Sequence, residues 1–342
     1  MTSTSLPSAI KAIARGESLA PETLEAAFEA LLTGEASPEQ IGAFLMGLAV
    51  RGETSAELLA GARVMRQHAR SITIDGPVLD TCGTGGLPWK SLNTSTAAAL
   101  VIAAAGGRVA KHGNRSVPPK TGSADVLEAL GVNLDIDEET FHTCLRFAGV
   151  AFMFARSHHS AMRHVAPIRA SLGIRTIFNL LGPLTNPAGA QHQILGVFAP
   201  EWVRPMAETL AALGTTHSWV VHGMDGIDEL SISGVTKVAE IKGSEITEFE
   251  ITPEDAGLSP SPLSALAGGS PEENAAAIRE LLEGQQGPFR DIVVLNAAAG
   301  LHVFGRADSL AAGARMAEAA IDDGKARETL TKLASLSHGA SS

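Results

Sequence analysis

Residues 78–111 place a short apolar segment, a glycine loop, an alanine-rich helix-like run and a second apolar segment in direct succession. The first segment is Val78-Leu79-Asp80-Thr81, the loop is Gly83-Thr84-Gly85-Gly86, and Asn93-Thr94-Ser95-Thr96 opens the alanine-rich run. A strand joined to the next strand through a helix forces the two strands to lie parallel, and a parallel sheet needs cover on both faces. Short β-type runs at 108–111, 151–154, 194–198, 219–222 and 292–295 continue the alternation with helical stretches. The expected class is therefore α/β with a mainly parallel central sheet. Polar and apolar residues alternate over 240–250, which predicts an antiparallel addition, and the Ser-, Pro- and Gly-rich stretch 259–270 reads as a surface connection.

The first 70 residues carry no such alternation. Ser37-Pro38-Glu39-Gln40 and Thr54-Ser55-Ala56-Glu57 are capping boxes ahead of apolar helical faces. The sequence thus predicts a small all-helical domain at 1–72, which a segment around 165–190 is a candidate to complete, and a larger α/β domain at 73–342. Apolar helical faces beyond those needed internally are left over for packing, a second subunit being one candidate.

Glycines that bring backbone amides close to a ligand, followed by a helix N-terminus, suit an anion. Lys111-His112-Gly113-Asn114-Arg115-Ser116 adds positive charge and donors, so a phosphorylated small molecule is the expected ligand. The net charge of −11 argues against a general nucleic-acid binder and confines any phosphate site to a local basic pocket. No apolar run reaches about 18 residues, the length a membrane helix needs, and a cytoplasmic protein is expected. Adjacent Asp228 and Glu229 after the run 219–222 are oxygen ligands of the kind magnesium prefers; a solvated acidic turn is the alternative. His158 and His159 lack zinc-ligand spacing, and with Arg169 they fit a lining for an anionic organic substrate better. Nothing near Cys82 marks it as a nucleophile.

These residues, together with Gly122-Ser123-Ala124-Asp125, the run Arg175-Thr176-Ile177-Phe178-Asn179-Leu180-Leu181-Gly182-Pro183-Leu184-Thr185-Asn186-Pro187 and Leu295-Asn296-Ala297-Ala298-Ala299, make nearly the whole chain similar to the anthranilate phosphoribosyltransferase family. The resemblance implies a nucleoside-phosphorylase-like α/β domain behind a dimerising helical domain. It also implies phosphoribosyl transfer from 5-phosphoribosyl diphosphate to anthranilate, with Mg2+. It places the donor on Gly83, Gly86, Ser91, Asn93, Ser95, Thr96, Lys111 and Ser123, magnesium on Ser95, Asp228 and Glu229, and anthranilate on Asn114, His159, Arg169 and Gly182. Lys111, Asn114 and Arg169 take the catalytic roles. Leu87, Thr94, His112, Gly113, Arg115, Ser116, Val117, Pro118 and Pro119 complete the implied substrate surface. The chain departs from the family at Leu87, where the family carries Asp, and at Val117-Pro118-Pro119, where the family continues with serines; two prolines remove two backbone donors. Those departures leave open a related transferase or phosphorylase with another acceptor, or a non-catalytic binding paralogue.

Overall fold

The structure is a computed structural model and describes residues 6–85, 89–116 and 121–339. Four helices open the chain: α1 (Leu6–Ala14), α2 (Pro21–Thr33), α3 (Pro38–Arg51) and α4 (Ser55–Gln67). Both predicted capping boxes form. The Gln40 side chain accepts the Ser37 N–H at 3.0 Å, and the Glu57 carboxylate accepts the Thr54 N–H at 2.9 Å. Each satisfies a donor that the helix start would otherwise orphan.

The alternating part follows as β1 (Leu79–Gly83), α5 (Thr94–Ala104), β2 (Val109–Gly113), α6 (Ser123–Ala129), α7 (Glu138–Phe147) and β3 (Val150–Phe154). Three short helices then cross back to the N-terminal bundle: α8 (Ala155–His158), α9 (Ala166–Leu172) and α10 (Ile177–Leu181). After them come β4 (His192–Gly196), α11 (Val203–Ala212), β5 (His217–Gly223), β6 (Thr236–Lys242) and β7 (Glu245–Ile251). The chain closes with α12 (Pro271–Leu282), α13 (Pro288–Val303), α14 (Leu310–Asp322) and α15 (Lys325–Ser337).

The seven strands form one sheet in the order β3-β2-β1-β4-β5-β6-β7. The first five are parallel, and β6 and β7 add an antiparallel hairpin at the edge. Successive strand residues point to opposite faces. Ile194, Trp219 and Val221 accordingly fall in the core with α5, α13, α14 and α15, while Leu195, Val197 and Val220 fall in a second core with α11 and the N-terminal helices. Phe28, Phe44 and Leu48 of that second core also meet Val165, Ile177, Phe178, Leu181 and Leu184 from the mid-chain helices and the turn that follows them. Phe28 stacks edge-on against both Phe44 and Phe178, with ring centroids 5.6 and 6.2 Å away.

The run 292–295 is not a strand. It lies inside α13, whose residues 292–301 are all buried, so the helix shows no polar face and no period that separates it from a buried strand. Pro288 near its first turn is the start signal that the apolar run obscures. Among the described residues no helix is long and apolar enough to cross a membrane.

Candidate active site

The sheet order reverses direction at β1: the chain leaves β1 toward β2 and β3, then crosses back to β4 on its other side. Loops at the carboxyl ends of β1 and β4 therefore part and leave a crevice, the usual binding place in an open parallel sheet. Gly83-Thr84-Gly85 leads from β1 into it. Thr84 Oγ1 accepts the Phe198 N–H at 3.0 Å, and Asp228 Oδ2 accepts the Gly85 N–H at 2.7 Å. A Cβ on Gly83 would lie 2.6 Å from Asp228 Oδ2, and one on Gly196 would lie 1.7 Å from the Asp228 carbonyl oxygen. Only bare backbone at these two positions lets Asp228 dock beneath the loop.

The crevice opens into a cleft of about 320 Å³ lined by Gly83, Gly85, residues 91–96, residues 111–116, Ser123, Asp228 and Glu229. The start of α5 points into this set. Asn93 stands at the cap position before α5, but its side chain makes no capping hydrogen bond. Its amide donates to the Thr121 carbonyl at 3.1 Å, and its oxygen accepts from Asn274 at 2.8 Å. These longer-range bonds hold the loop and leave first-turn N–H groups for other acceptors, one of which is the Glu229 carboxylate bonded to the Ser95 amide and hydroxyl. Thr96 Oγ1 is buried with no partner among the described residues. The stretch 259–270 is also more than a surface connection. Leu266 is buried, its carbonyl accepts the Leu92 N–H at 3.0 Å, and the Gly268 N–H bonds the Lys90 carbonyl at 2.9 Å, so it braces the floor of the loop.

Charge is concentrated under the cleft. Lys111 is buried, and its ammonium donates to the Thr81 carbonyl and, at 3.3 Å, to the Ser95 hydroxyl. Burial pulls its pKa down, while the charges of Asp80 and Glu229 oppose the shift. Buried Asp80 accepts the His112 N–H at 3.1 Å and the Asn186 amide at 2.8 Å; desolvation raises its pKa against the attraction of Lys111. Burial also raises Asp228, against the Gly85 hydrogen bond, and burial plus the Asp228 charge push Glu229 up to about 8. Two adjacent carboxylates that repel one another in a dehydrated place, next to a serine hydroxyl, form an all-oxygen donor set suited to a hard divalent cation.

Beside the cleft, His112 and His159 face each other with ring centroids 5.1 Å apart. His112 hydrogen-bonds the Gly182 carbonyl and His159 the Thr185 carbonyl. Desolvation holds His112 well below the ordinary histidine range and His159 at about 4, with neighbouring histidine charge adding to both shifts. Both rings are neutral at pH 7, and each buries an Nε2 without a partner among the described residues. Arg169 lies over the Phe178 ring, 5.5 Å from its centroid, and donates to Asn179 at 3.3 Å. It pairs with no carboxylate among the described residues, and burial lowers its pKa. A Cβ on Gly182 would meet nothing within 4 Å.

The family profiles described as "Glycosyl transferase family, helical bundle domain" and "Glycosyl transferase family, a/b domain" match residues 7–69 and 75–327. Anthranilate phosphoribosyltransferase of Hyphomonas neptunium is 67% identical over 333 residues, covering 97% of this chain and 98% of the relative. The chain belongs to the anthranilate phosphoribosyltransferase family. The crystal structure of that enzyme from Thermus thermophilus superimposes with a TM-score of 0.91 at 46% identity, covering 97% of this chain and 99% of the other. The Saccharomyces cerevisiae anthranilate phosphoribosyltransferase in complex with PRPP and Mg gives a TM-score of 0.88 at 26% identity, covering 98% and 99%. The same yeast enzyme in complex with 4-fluoroanthranilate gives 0.86 at 25% identity, with the same coverage.

Of the positions carried over from the anthranilate phosphoribosyltransferase pattern, Gly83, Ser91, Asn93, Thr94, Ser95, Thr96, Lys111, His112, Gly113, Asn114, Arg115, Ser116, Ser123, Asp228 and Glu229 converge on the one cleft. His159, Arg169 and Gly182 do not line it; His159 and Gly182 are joined to it through His112, and Arg169 bonds Asn179, three residues before Gly182. Arg115 differs from the anion nest read in the sequence. Its guanidinium bonds Asp125 at 2.9 Å and Glu128 at 2.7 Å, so its charge is already matched. Gly86, Leu87, Val117, Pro118 and Pro119 lie outside the described residues. Sequence reasoning missed Asp80, Thr121, Asn186 and Asn274, which hold these groups in place. An aspartate inside the apolar run 78–82 was the available signal, because a charge there must be buried with partners.

Proposed function

We infer that this protein transfers the phosphoribosyl group of 5-phosphoribosyl diphosphate to the amine of anthranilate, giving N-(5-phosphoribosyl)anthranilate and diphosphate in tryptophan biosynthesis. The observation that carries this reading is the cleft itself: a helix N-terminus, a buried lysine and a carboxylate pair meet at the sheet's switch point, in a chain 67% identical to an enzyme of that name.

The donor's phosphates fit the amides of Gly83 and Gly85, the first turn of α5, Ser91, Ser123 and the Lys111 ammonium. Ser95, Asp228 and Glu229 would hold Mg2+, and the chemistry a bound ion supplies is neutralisation of diphosphate charge. Lys111 adds fixed positive charge where the leaving group develops negative charge, in a site already dehydrated and needing little reorganisation. Anthranilate's amine has its lone pair free, so alignment matters more than a strong base. Arg169 suits the acceptor carboxylate, since a half-buried guanidinium with only an amide and a ring for company gains most from an anion. Asn114 and the unpartnered Nε2 atoms of His112 and His159 offer polar partners to the amine end. Attack from the side opposite the diphosphate inverts the ribosyl carbon.

Consumption of anthranilate, followed spectroscopically with 5-phosphoribosyl diphosphate and Mg2+, tests the reading. No consumption, with turnover of a pyrimidine nucleoside and phosphate instead, would overturn it.

The same reading divides the chain at residues 72 and 73, with the segment around 165–190 completing the helical unit; the core shared by α1–α4 and residues 165–184 supports this. It also makes the protein a cytoplasmic homodimer through that unit. Met46 and Val50, four residues apart on α3 and 38% and 79% exposed, supply an apolar face for the partner. Light scattering that returns a monomer mass would sink the dimer.

A further inference from the structure

At the end of the sheet away from the cleft, β5, β6 and α13 bring together a side-chain group that the transferase reading does not use. His217 is the first residue of β5, about 13 Å along the strand from the Val221 level where the β1 and β4 loops begin. Glu240 lies on β6, directly opposite Trp219, and His302 lies in the last turn of α13. Among the described residues these three form the one group of His, Cys, Asp or Glu whose ligand atoms all lie within 4.8 Å of one another.

We propose that His217, Glu240 and His302 form a second metal centre, which takes one borderline divalent ion of the zinc class with water as fourth ligand. His302 Nδ1 lies 3.0 Å from the Ala307 carbonyl. A carbonyl accepts only, so Nδ1 carries the proton and Nε2 presents its lone pair. That lone pair faces Glu240 Oε1 across 3.8 Å, an acceptor against an acceptor, which a cation between them reconciles. His217 Nε2 lies 2.8 Å from the same oxygen. Tetrahedral ligands about 2.0–2.2 Å from a metal stand roughly 3.3–3.5 Å apart, and these two separations bracket that value.

The surroundings already resemble the outer partners of a metal site. The Trp219 N–H donates to Glu240 Oε1 at 2.9 Å, and Lys242, more than half exposed, holds Oε2 at 3.0 Å. The Ala307 carbonyl fixes the His302 tautomer, the usual arrangement for a metal-bound imidazole. His192, paired with His217 across the β4–β5 register, buries an Nδ1 with no partner among the described residues. Two nitrogens and one carboxylate separate this set from the all-oxygen group at Asp228 and Glu229: the first suits zinc or cobalt, the second magnesium. A bound ion would tie the edge hairpin and β5 to the end of α13.

The test uses the full chain, stripped of metal and held in excess Mg2+ so that Asp228 and Glu229 are saturated, then titrated with Co2+. The expected result is one equivalent bound with the strong visible absorption of a tetrahedral nitrogen-containing site, displaced by Zn2+. His302→Gln should weaken uptake by roughly 100-fold or more, beyond the 10–100-fold that loss of an outer partner costs, while Mg2+-dependent turnover stays at the wild-type rate. Absence of stoichiometric uptake, or a weak octahedral spectrum, overturns the proposal. So does equal uptake by His217→Gln, a variant on a different element that serves if His302→Gln does not fold.

Discussion

Replacing Gly83 by alanine is expected to damage catalysis as well as stability. The added Cβ would sit 2.6 Å from Asp228 Oδ2, whereas ordinary contact begins near 3.4 Å, so the oxygen must retreat by about 0.8 Å. Asp228 is buried, its side chain is short, and the same oxygen holds the 2.7 Å bond from the Gly85 N–H. That bond breaks when the carboxylate turns away. A hydrogen bond to a charged group contributes about 1.5–3 kcal/mol, and a misplacement near 1 Å costs on the order of 100-fold in rate. Both routes give a fall in kcat/KM for the donor of roughly 10- to 100-fold, together with a higher Mg2+ requirement. Stability should fall by no more than about the 1.5–3 kcal/mol of that bond, because Gly83 is itself exposed and the atom displaced is a side-chain tip. Initial rates against donor and Mg2+ at saturating anthranilate, beside a thermal melt, measure both quantities. Gly85→Ala is the control: its Cβ meets nothing within 4 Å, but its φ of +67 costs an alanine about 1–2 kcal/mol of backbone strain. A Gly83→Ala enzyme with normal melting and kcat/KM within twofold of wild type would refute the role given to Asp228's position.

Arg169→Ala should raise the KM for anthranilate about tenfold or more and leave that for the donor nearly unchanged, since one substrate alone loses a charged partner; steady-state kinetics showing equal effects would count against it. His159 is held at about 4 against an ordinary value near 6.5, so the unfolded chain takes up a proton that the folded one refuses. Stability contributed by this group is present above about pH 6.5 and is lost as pH falls toward 4, by up to roughly 3 kcal/mol; denaturant titrations of wild type and His159→Phe should differ in slope across that window and nowhere above it. Burial and the Asp228 charge raise Glu229 to about 8, so a cation that binds near neutral pH is expected to displace a proton from it. Calorimetry of Mg2+ binding in two buffers of different ionisation heat should find close to one proton released at pH 7 and almost none at pH 9.5; no release at pH 7 would mean that Glu229 is already ionised.

Much of the architecture was legible because local signals agreed with global need. The capping residues Ser37 and Thr54 start helices where the sequence says they should, and the runs 78–81, 108–111 and 151–154 match three of the parallel strands closely. The run 292–295 misled because a helix sealed on every side and a sealed strand present the same unbroken apolar pattern. Site residues near one another in the chain, such as 93–96 and 111–116, were readable as motifs. Pairings across long separations were not: Asp228 meets Gly85 over 143 residues, and Asn274 meets Asn93 over 181. Arg115 reads differently in the structure for a related reason, because Asp125 and Glu128 in the first and second turns of α6 claim its charge. The neutral histidine pair was likewise invisible, since nothing in the stretch around His112 announces His159 as its neighbour.

The shared core of the N-terminal helices has a consequence for how the protein is made. Phe28, Phe44 and Leu48 share their core with side chains from 165–184 and, further on, with α11 and with Leu195, Val220, Ala239 and Ile241 of the sheet. A ribosome that has released only α1–α4 has therefore released half of an interior. Those apolar faces must wait, through the synthesis of more than a hundred further residues, for the segments that seal them. The helical unit is translated well before the segments that close it, so a transient cover on the nascent helices would be of most use during that interval.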